Sequence, residues 1–543
     1  MIAHIKKFVT KTSQQSITAS AMIVAFFGIL SRILGLVRDR ILAANYGAGD
    51  ILDIYYAAFR LPDLVFELLV VGALGAAFIP VFTKLLTKES NKRAKRVGAG
   101  VLVTVVSVMT LFSVLGIIFA PILIHIIVPG FPLDKITQTT HFARIMFLSP
   151  IFLSASAVFG GILVSFRRFV LYSMAPLFYN IGIIIGATIL VDYLGPIGLA
   201  WGVTLGAALH LMVHIIAIKL TGFKFDFHNI LPFKNPDVKH VFVLMLPRMF
   251  SSASNQISLL LITFFASLLS AGSLTIFSFA NNIQSVVLGL IGIPFAVAAF
   301  PVLANKFAVG DNEAFIKILS RTLRRILYYS VPLSMLFFVL REQIVRVVYG
   351  AGHFNLEDTI LTYQVLGILC VSLFAQSIIP ILARGFYAMQ NTKTPLYIAM
   401  SAQMINAFVI IMLIRHIGIY AIAIAFSITA IFNAVSLFVI LHKKVGDKEY
   451  KNTIRTVIQI MISTFVAIII SYFVRDVLNM LLPLQFVWGV LAQLIITGSI
   501  GAGTYLFVTA IFGMKEYETI KNKIIIRIFG RPQVANEEQN IVR

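Results

Sequence analysis

Seven charged residues stand close together in a stretch of the chain that is otherwise apolar. The segment at 31–60 reads "SRILGLVRDRILAANYGAGDILDIYYAAFR", and its charged residues are Arg32, Arg38, Asp39, Arg40, Asp50, Asp53 and Arg60. A guanidinium binds phosphate oxygens through two parallel hydrogen bonds and keeps its charge at any physiological pH. Arginines with nearby carboxylates therefore indicate a site for a phosphorylated anion.

The surrounding sequence is that of a polytopic membrane protein. The chain has 543 residues, of which 59% are hydrophobic and 12% are charged, and its mean hydropathy is +0.94. A soluble domain carries about 25% charged residues. Apolar runs of roughly 20 residues match the thickness of a bilayer. The single cysteine, Cys370, excludes an internal disulfide framework and a cysteine-rich metal site.

The apolar runs predict fourteen membrane-spanning helices. They lie at 17–44, 51–83, 97–126, 138–166, 171–191, 196–218, 240–269, 272–305, 315–347, 358–388, 395–414, 418–442, 453–475 and 484–513. Basic loops alternate with non-basic ones, and 84–96 alone holds six Lys or Arg against one Glu. Because basic loops stay on the cytoplasmic side, we predict that both termini are cytoplasmic.

The chain also repeats itself. Five pairs of residues recur in order, 219 to 223 positions apart: Gly49 and Gly272, Pro80 and Pro301, Gly130 and Gly350, Pro176 and Pro395, Gly195 and Gly418. Each repeat holds six spans, so both halves insert with the same orientation, related by a pseudo-two-fold axis along the membrane normal. The predicted parts are an N-terminal lobe at 1–225, a C-terminal lobe at 226–445, two extra helices at 446–513 and a basic cytoplasmic tail at 514–543.

The charged residues follow the period of a helix. Arg32 and Asp39 are seven residues apart, which places them on one face about two turns apart. Gly35 between them lets a neighbouring backbone approach closely. Along span 2, a stripe is spaced three or four residues apart and consists of Asp53, Tyr56, Arg60, Asp63 and Glu67.

This stripe has two interpretations, because a charge inside the bilayer must face either protein or water. Arg60 could pair with Asp53 or Asp63 and so hold two helices together. The alternative is a water-filled, net-cationic cavity that receives an anionic headgroup. Further arginines inside spans, at 144, 248 and 384, favour the cavity.

Sequence motifs for catalysis or nucleotide binding are absent. The chain has no G-x-x-x-x-G-K-[ST] loop, no H-E-x-x-H, no G-x-S-x-G and no Cys/His cluster. His210 and His214 have the i,i+4 spacing of a metal pair, but a third ligand is lacking. Asn180 and Asn406 are interpreted as contacts between helices. We therefore expect neither an enzyme nor a bound cofactor.

The quoted motifs resemble the MurJ/MviN lipid II flippases of the MOP exporter superfamily. The resemblance covers most of the chain and rests on "SRILGLVRDRILAANYGAGDILDIYYAAFRLPDL", "GALGAAFIPVF", "GILVSFRRF", "NQISLLLITFFASLLSAGS" and "RGFYAMQNTKTP". The first motif is the most specific. Fourteen spans are also typical of this family, whose two extra helices imply a groove for the lipid tail at 446–513.

The resemblance implies a set of substrate-binding residues and also reveals departures from the family. The family's cavity residues fall on Arg32, Arg38, Asp39, Asp53 and Arg60. The arginines are expected to hold the diphosphate of the lipid, and Asp39 and Asp53 are expected to orient their guanidinium groups. After Leu-Pro the family usually has Arg, where this chain has Phe66 and Glu67. In span 8 an Arg of the family is replaced within "FANNIQ" by Asn281 and Asn282. We predict that these two asparagines and Arg248 also belong to the substrate-binding residues. We hypothesise that Arg248 in span 7 partly replaces that missing arginine.

The implied function is translocation of lipid II from the cytoplasmic to the outer leaflet by alternating access. A coupling ion or the membrane potential is expected to supply the energy, and the protein is expected to act as a monomer in the bacterial inner membrane without nucleic acid. A related undecaprenyl-diphosphate glycolipid is an alternative substrate. The residues are also compatible with a polysaccharide-lipid exporter, a drug/cation antiporter, or a membrane enzyme acting on polyprenyl-linked sugars.

Overall fold

The structure, a computed structural model, describes residues 17–71, 74–228, 235–446, 449–519 and 521–522. All regular secondary structure in these residues is helical. The first half contains α1 (Ile17–Tyr46), α2 (Asp50–Phe66), α3 (Leu74–Lys84), α4 (Asn91–Ile127), α5 (Leu133–Met146), α6 (Leu148–Ser165), α7 (Phe169–Ile185), α8 (Val191–Leu194) and α9 (Gly198–Thr221). The second half contains α10 (Pro236–Ser267), α11 (Ser273–Val287), α12 (Ile293–Ala308), α13 (Asn312–Val339), α14 (Arg341–Tyr349), α15 (Leu356–Ala388), α16 (Lys393–Ile417), α17 (Ile419–Val445), α18 (Tyr450–Leu481) and α19 (Val487–Ile511).

The helices begin and end at residues whose chemistry suits those positions. Helix α10 begins after Asn235, whose side chain accepts a hydrogen bond from the amide of Asp237 at 3.0 Å. Helix α13 begins after Asp311, which accepts from the amide of Ala314 at 3.0 Å. Helix α9 ends at Gly222, where φ is 73°, a left-handed conformation that glycine adopts without strain.

The polytopic helical architecture predicted from the sequence is confirmed. Within the described residues, nine helical stretches are long and apolar enough to cross a membrane. One of them, Phe169–Thr221, has 53 residues and contains two of the predicted spans. A bilayer core is crossed by about 20 helical residues, so this stretch accommodates two crossings. The total of fourteen spans stays a prediction.

The backbone repeats at the interval at which the sequence repeats. A π-helical turn at Glu67–Val71 follows α2, and another at Leu288–Gly292, 221 residues later, follows α11. Arg167 and Gln390, 223 residues apart, both have a φ of 56°, which is unusual for residues other than glycine. Both halves of the chain therefore contain a π-helical turn and a non-glycine residue with positive φ at matching positions. The predicted lobe boundaries stay a prediction.

Helix contacts divide the chain into two compact units. The first comprises the described parts of Met1–Val286, Val348–Ile368 and Thr392–Thr429. Its hydrophobic core includes the fully buried side chains of Phe78, Phe82, Val97, Ile162 and Val241, which come from α3, α4, α6 and α10.

Within the first unit, α7 and α9 approach through glycines. A Cβ added to Gly182 would lie 2.2 Å from the Cα of Gly206, and one added to Gly186, the first residue after α7, would lie 2.4 Å from the Cα of Gly202. Small residues allow helix backbones to make this close contact, which is typical of packing inside membranes. The contact fixes α7, whose Asn180 reaches the site described below.

The second unit comprises the described parts of Val287–Val347, Leu369–Asn391 and Ala430–Arg543. Its last two helices pack on each other, and polar side chains tie α19 to neighbouring helices. Tyr505 donates to the carbonyl oxygen of Tyr328 at 2.8 Å. Gln493 accepts from Gln343 at 2.9 Å and donates to Asn479 at 2.6 Å. Such hydrogen bonds replace water as the partner of buried polar groups.

Substituting Gly182 with Ala should lower the free energy of unfolding of the full-length protein by about 1–3 kcal/mol, because the new methyl group meets backbone that cannot move aside. Thermal unfolding in detergent measures the effect. The matched control is Gly503→Ala, where an added Cβ has open space within 4 Å. Equal unfolding midpoints for the two variants would contradict the proposed close contact.

Candidate functional site

The first unit contains a cavity of about 770 Å³. Its charged or titratable lining residues are Arg32, Arg38, Tyr55, Tyr56, Arg60, Asp63, Glu67, Tyr172, Tyr179, His210 and His214. Its other lining residues are Val24, Phe27, Gly28, Ser31, Phe59, Phe66, Leu153, Ala157, Ser173, Pro176 and Asn282. The structure thus brings Arg32, Arg38 and Arg60 to one cavity, together with Asn282 from the second half of the sequence.

Arg38 is held by an ion pair and an amide. Its Nη2 atom lies 2.7 Å from Oδ1 of Asp39, and its Nη1 atom donates to Oδ1 of Asn180 at 3.1 Å. Asp39 is 1% exposed and accepts a further hydrogen bond from Asn282 at 2.9 Å. These contacts fix the guanidinium of Arg38 at the cavity wall. The role of Asp39 in orienting an arginine for a ligand stays a prediction.

The other two arginines are held by neutral hydrogen-bond acceptors, without the close ion pair that Arg38 forms. Arg60 donates from Nε to Oγ1 of Thr263 at 3.0 Å and from Nη2 to Oγ of Ser278 at 3.4 Å. Arg32 donates to the carbonyl oxygen of Ser285 at 3.0 Å. A guanidinium has five N–H donors, so both residues keep donors for a ligand. Arg60 makes these two hydroxyl contacts and not the ion pair with Asp53 or Asp63 that was the alternative to a cavity.

Asp53 has a different role from the one expected. Its carboxylate accepts from the amides of Gly272 at 2.8 Å and Thr275 at 3.0 Å, and from the Thr275 hydroxyl at 2.8 Å. It also pairs with Lys135, whose Nζ atom lies 3.2 Å from Oδ2 of Asp53 and 2.6 Å from Oδ1 of Asp50. Orienting a cavity guanidinium is therefore not its role. The free amides at the start of α11 attract its carboxylate instead.

The remaining predicted site residues lie in different places. Asn282 lines the cavity. Asn281, its neighbour on α11, accepts from Nε2 of Gln284 at 2.9 Å and does not line the cavity. The side chain of Arg248 lies outside the described residues, although its backbone belongs to α10. The suggested replacement of a family arginine by Arg248 therefore stays a hypothesis.

Sequence reasoning does not name Asp63, Glu67, His210 or His214 as substrate-binding residues, and the structure places all four at the cavity wall. The first two lie on the stripe of span 2, so the helical period contained their signal. The histidines were considered for metal binding. Ser156 instead bridges them, with its Oγ atom 2.7 Å from Nδ1 of His210 and 2.8 Å from Nδ1 of His214.

The described part of the chain holds no group of three or more His, Cys, Asp or Glu side chains that could bind a metal ion. The wall of the cavity presents the guanidinium groups of Arg32, Arg38 and Arg60 and the carboxylates of Asp63 and Glu67. Guanidinium groups around a cavity can bind the oxygen atoms of a phosphorylated headgroup.

Comparisons with known proteins identify relatives across most of the chain. Residues 42–492 match the family described as "Lipid II flippase MurJ". A probable lipid II flippase MurJ of Rhizobium tropici is 31% identical over 423 residues, which are 76% of this chain and 79% of that protein. The lipid II flippase MurJ of Burkholderia cenocepacia is 27% identical over 435 residues, 78% of this chain and 83% of that protein.

Solved structures show the same fold. A structure described as lipid II flippase MurJ in an inward closed conformation has a TM-score of 0.73 and 23% identity, and the match covers 92% of this chain and all of that one. An inward-facing multidrug transporter of the MATE family, within the MOP superfamily, has a TM-score of 0.62 and 14% identity. That match covers 78% of this chain and 98% of the transporter.

Substituting Lys135 with Met should lower the free energy of unfolding by about 3–5 kcal/mol, because it leaves the Asp53 carboxylate, 2% exposed, without its cation. Adding Asp53→Asn to the Lys135→Met variant should recover part of the loss. Thermal unfolding of the three proteins in detergent measures both effects.

The matched control is Lys306→Met, which removes an ion pair with Asp311 at 3.0 Å whose side chains are 41% and 40% exposed. The amide of Ala314 and the ammonium of Lys306 lower the pKa of Asp311. Water screens exposed ion pairs, so this control should change stability little. A Lys135→Met variant as stable as Lys306→Met would contradict the assigned role of Lys135.

Proposed function

Because the chain belongs to the lipid II flippase MurJ family, we propose that it moves lipid II from the cytoplasmic to the outer leaflet of the bacterial inner membrane. The chain is a multi-pass membrane protein of that membrane. The observation that carries the proposal is the convergence of three arginines, Arg32, Arg38 and Arg60, on one cavity within a chain of this family.

In this proposal the diphosphate of the lipid is bound by the three guanidinium groups. Arg38 presents a fixed group, because Asp39 and Asn180 hold it. Arg32 and Arg60 supply donors that the protein does not use. The apolar polyprenyl tail stays among membrane lipids, and the two extra C-terminal helices, α18 and α19, provide a groove for it. No covalent change in the lipid is required, so the protein is not an enzyme.

Release requires that the diphosphate is not held too tightly. Asp39 competes with the phosphate oxygens for Arg38, since both are anionic acceptors of the same donors. This competition lowers the affinity for the headgroup and allows it to leave once the cavity opens to the other side. The two lobes alternate between an inward-open and an outward-open state, and the substrate shifts the population between them.

We further propose that the energy comes from the membrane potential or from an ion gradient, with the protein acting as a monomer. One elementary charge crossing the membrane gains about 2.3 kcal/mol per 100 mV, which is sufficient to bias a carrier between two states. The basic loops, such as 84–96, support an orientation with both termini in the cytoplasm.

The proposal is tested by rescue of a bacterium depleted of its own flippase, with exposure of the lipid II headgroup at the outer leaflet as the readout. The native chain should restore growth and exposure. The Arg38→Ala variant should lower exposure by about 10- to 100-fold, because hydrogen bonds to a charged group contribute about 1.5–3 kcal/mol. Arg38→Lys should fall between them, since it keeps the charge and loses the planar fork.

Arg415→Ala is the matched control, because Arg415 is exposed on α16 and lies outside the cavity lining. Membrane amounts and unfolding midpoints of all variants separate loss of function from loss of folding. A native chain that restores growth while the lipid is covalently altered would instead support an enzyme. No rescue by a well-folded native chain would reject the flippase function.

The role suggested for Arg248 is tested in the same assay. If Arg248 supplies the cation that replaces the family arginine of span 8, Arg248→Ala should lower headgroup exposure by about tenfold, the value of one lost charged hydrogen bond. Arg248→Lys should retain most activity. Full activity of Arg248→Ala beside an inactive Arg38→Ala would reject the replacement hypothesis and leave the flippase function standing.

A further inference from the structure

We propose that the cavity contains a sugar subsite, formed by His210 and Tyr172, in which His210 donates a hydrogen bond to the sugar attached to the diphosphate. The inference rests on the proposed function, because it assigns a second part of the same substrate to the same cavity. Nothing in the family match assigns these two residues.

The charged and the uncharged lining residues of the cavity lie on different helices. Its charged side chains come from α1, from α2 and from the π-helical turn after α2. The lining residues from α6, α7 and α9 carry no permanent charge, and we call this surface the neutral wall. Its titratable members are Tyr172, Tyr179, His210 and His214. Aromatic rings with a few placed polar groups suit an uncharged part of a ligand.

The hydrogen bonds around Ser156 fix which nitrogen of His210 carries a proton. Nδ1 of His214 lies 2.9 Å from the carbonyl oxygen of Ser156, which can only accept, so this nitrogen is the donor. The Ser156 hydroxyl lies 2.8 Å from the same nitrogen and 2.7 Å from Nδ1 of His210. Because the His214 nitrogen already holds a proton, the hydroxyl donates to His210. His210 therefore carries its own proton on Nε2.

A further contact of His214 leaves this assignment unchanged. Its Nε2 atom lies 3.3 Å from the carbonyl oxygen of Tyr172, a longer contact than the one that Nδ1 makes with Ser156. The shorter contact decides the tautomer of a neutral ring, and a doubly protonated ring would donate to both carbonyl oxygens. In both cases Nδ1 of His214 is a donor, and His210 keeps its proton on Nε2.

Nε2 of His210 is available to a ligand. The residue lines the cavity and is half-buried. Within the described residues, its ring forms a hydrogen bond only through Nδ1, and Nε2 is not sealed off by the surrounding protein. The Nε2–H group is thus a donor of fixed direction at the neutral wall, and an oxygen atom of the headgroup can accept from it.

The ring of Tyr172 adds an aromatic surface near this donor. It lines the cavity, is 39% exposed and stacks on the ring of His214, with centroids 6.0 Å apart and an angle of 6° between the planes. Gly160 leaves room for the stack, because a Cβ there would lie 3.1 Å from the ring of Tyr172 and 3.3 Å from that of His214. A sugar can pack its apolar face on such a ring while its oxygen atoms accept hydrogen bonds.

The neutral wall lies within reach of a group attached to a bound diphosphate. Asn180, eight residues after Tyr172 on α7, accepts a hydrogen bond from the guanidinium of Arg38. At 1.5 Å of rise per residue, Tyr172 stands about 12 Å from Asn180 along the helix. A diphosphate bound at Arg38 therefore brings its sugar to Tyr172 and His210 when the headgroup extends along α7.

The experiment measures binding to the full-length protein in detergent by native mass spectrometry. It compares two lipids that share one polyprenyl diphosphate and have the same charge. The first carries a disaccharide on the diphosphate, and the second carries a methyl group there. The native chain should bind the first lipid about 3- to 10-fold more tightly, the value of one neutral hydrogen bond.

Two substitutions of His210 separate a donor in the cavity from a contact with Ser156. The amide nitrogen of Gln reaches the place of Nε2, so His210→Gln should keep most of the preference for the sugar. The shorter side chain of Asn occupies the place of Nδ1, so His210→Asn keeps an acceptor for Ser156 and loses the donor. This variant should bind the two lipids within about twofold of each other.

The matched control is His416→Asn, because His416 is exposed on α16 and lies outside the cavity lining. It should keep the native preference for the sugar. Unfolding midpoints verify that all variants are folded, and the comparison of the two lipids on the native chain requires no variant.

Equal binding of the two lipids by the native chain would overturn the sugar subsite and leave the flippase function intact. Binding of neither lipid by the folded native chain would overturn the flippase function and the subsite with it. If His210→Asn kept the preference while His210→Gln lost it, His210 would act only through Ser156, and the subsite would be wrong. If both variants weakened the two lipids alike, His210 would contact the diphosphate, which would also overturn the subsite.

Discussion

The first unit depends on a buried ion pair between neighbouring residues of one helix. Arg38 and Asp39 are adjacent in sequence, and the carboxylate is 1% exposed. A buried carboxylate is tolerated only when a cation and hydrogen-bond donors surround it. Asn282 supplies one such donor, and Asn180 binds the other side of the guanidinium. The pair thereby links α1 to α7 and α11, and it holds a cation at the wall of the cavity.

Glycines make this arrangement sterically feasible. Gly182 and Gly206 bring the backbones of α7 and α9 into contact, and Asn180 precedes Gly182 by two residues on α7. On α1, a Cβ at Gly35 would lie 3.8 Å from Oδ1 of Asn180, so this turn of α1 leaves room for the asparagine. The polar contact of Arg38 therefore depends on apolar packing one or two turns away. Binding chemistry and helix packing are set by the same residues.

The sequence predicted the positions of the helices better than it predicted which side chains contact each other between helices. The 3.6-residue period placed Arg32 and Arg60 on helix faces that now meet at one cavity, because a helix fixes which of its own residues share a side. Arg38 was assigned to the cavity by the resemblance, and it lines the same cavity. The period could not place Asp53, whose partners are Lys135 of α5 and Gly272, the residue before α11, at 82 and 219 residues away. Tertiary packing decides which acceptor meets which donor. Asn282 is predicted as a substrate-binding residue at the position of a family arginine, but its bond to Asp39 could be found only in the structure.

A mixed-charge cavity resolves a conflict that every carrier of an anionic lipid faces. Strong binding of the headgroup favours its uptake from one leaflet, but equally strong binding in the other state would prevent its release into the other leaflet. A ligand with equal affinity for both states does not shift the equilibrium between them. In this chain, Asp39 already competes for Arg38, and the carboxylates of Asp63 and Glu67 reduce the positive potential near Arg60. The cavity wall thus carries both signs of charge along α2 and the π-helical turn that follows it. A headgroup with charges of both signs would meet complementary groups along this wall, while a simple anion such as free phosphate would meet carboxylates as well as guanidinium groups.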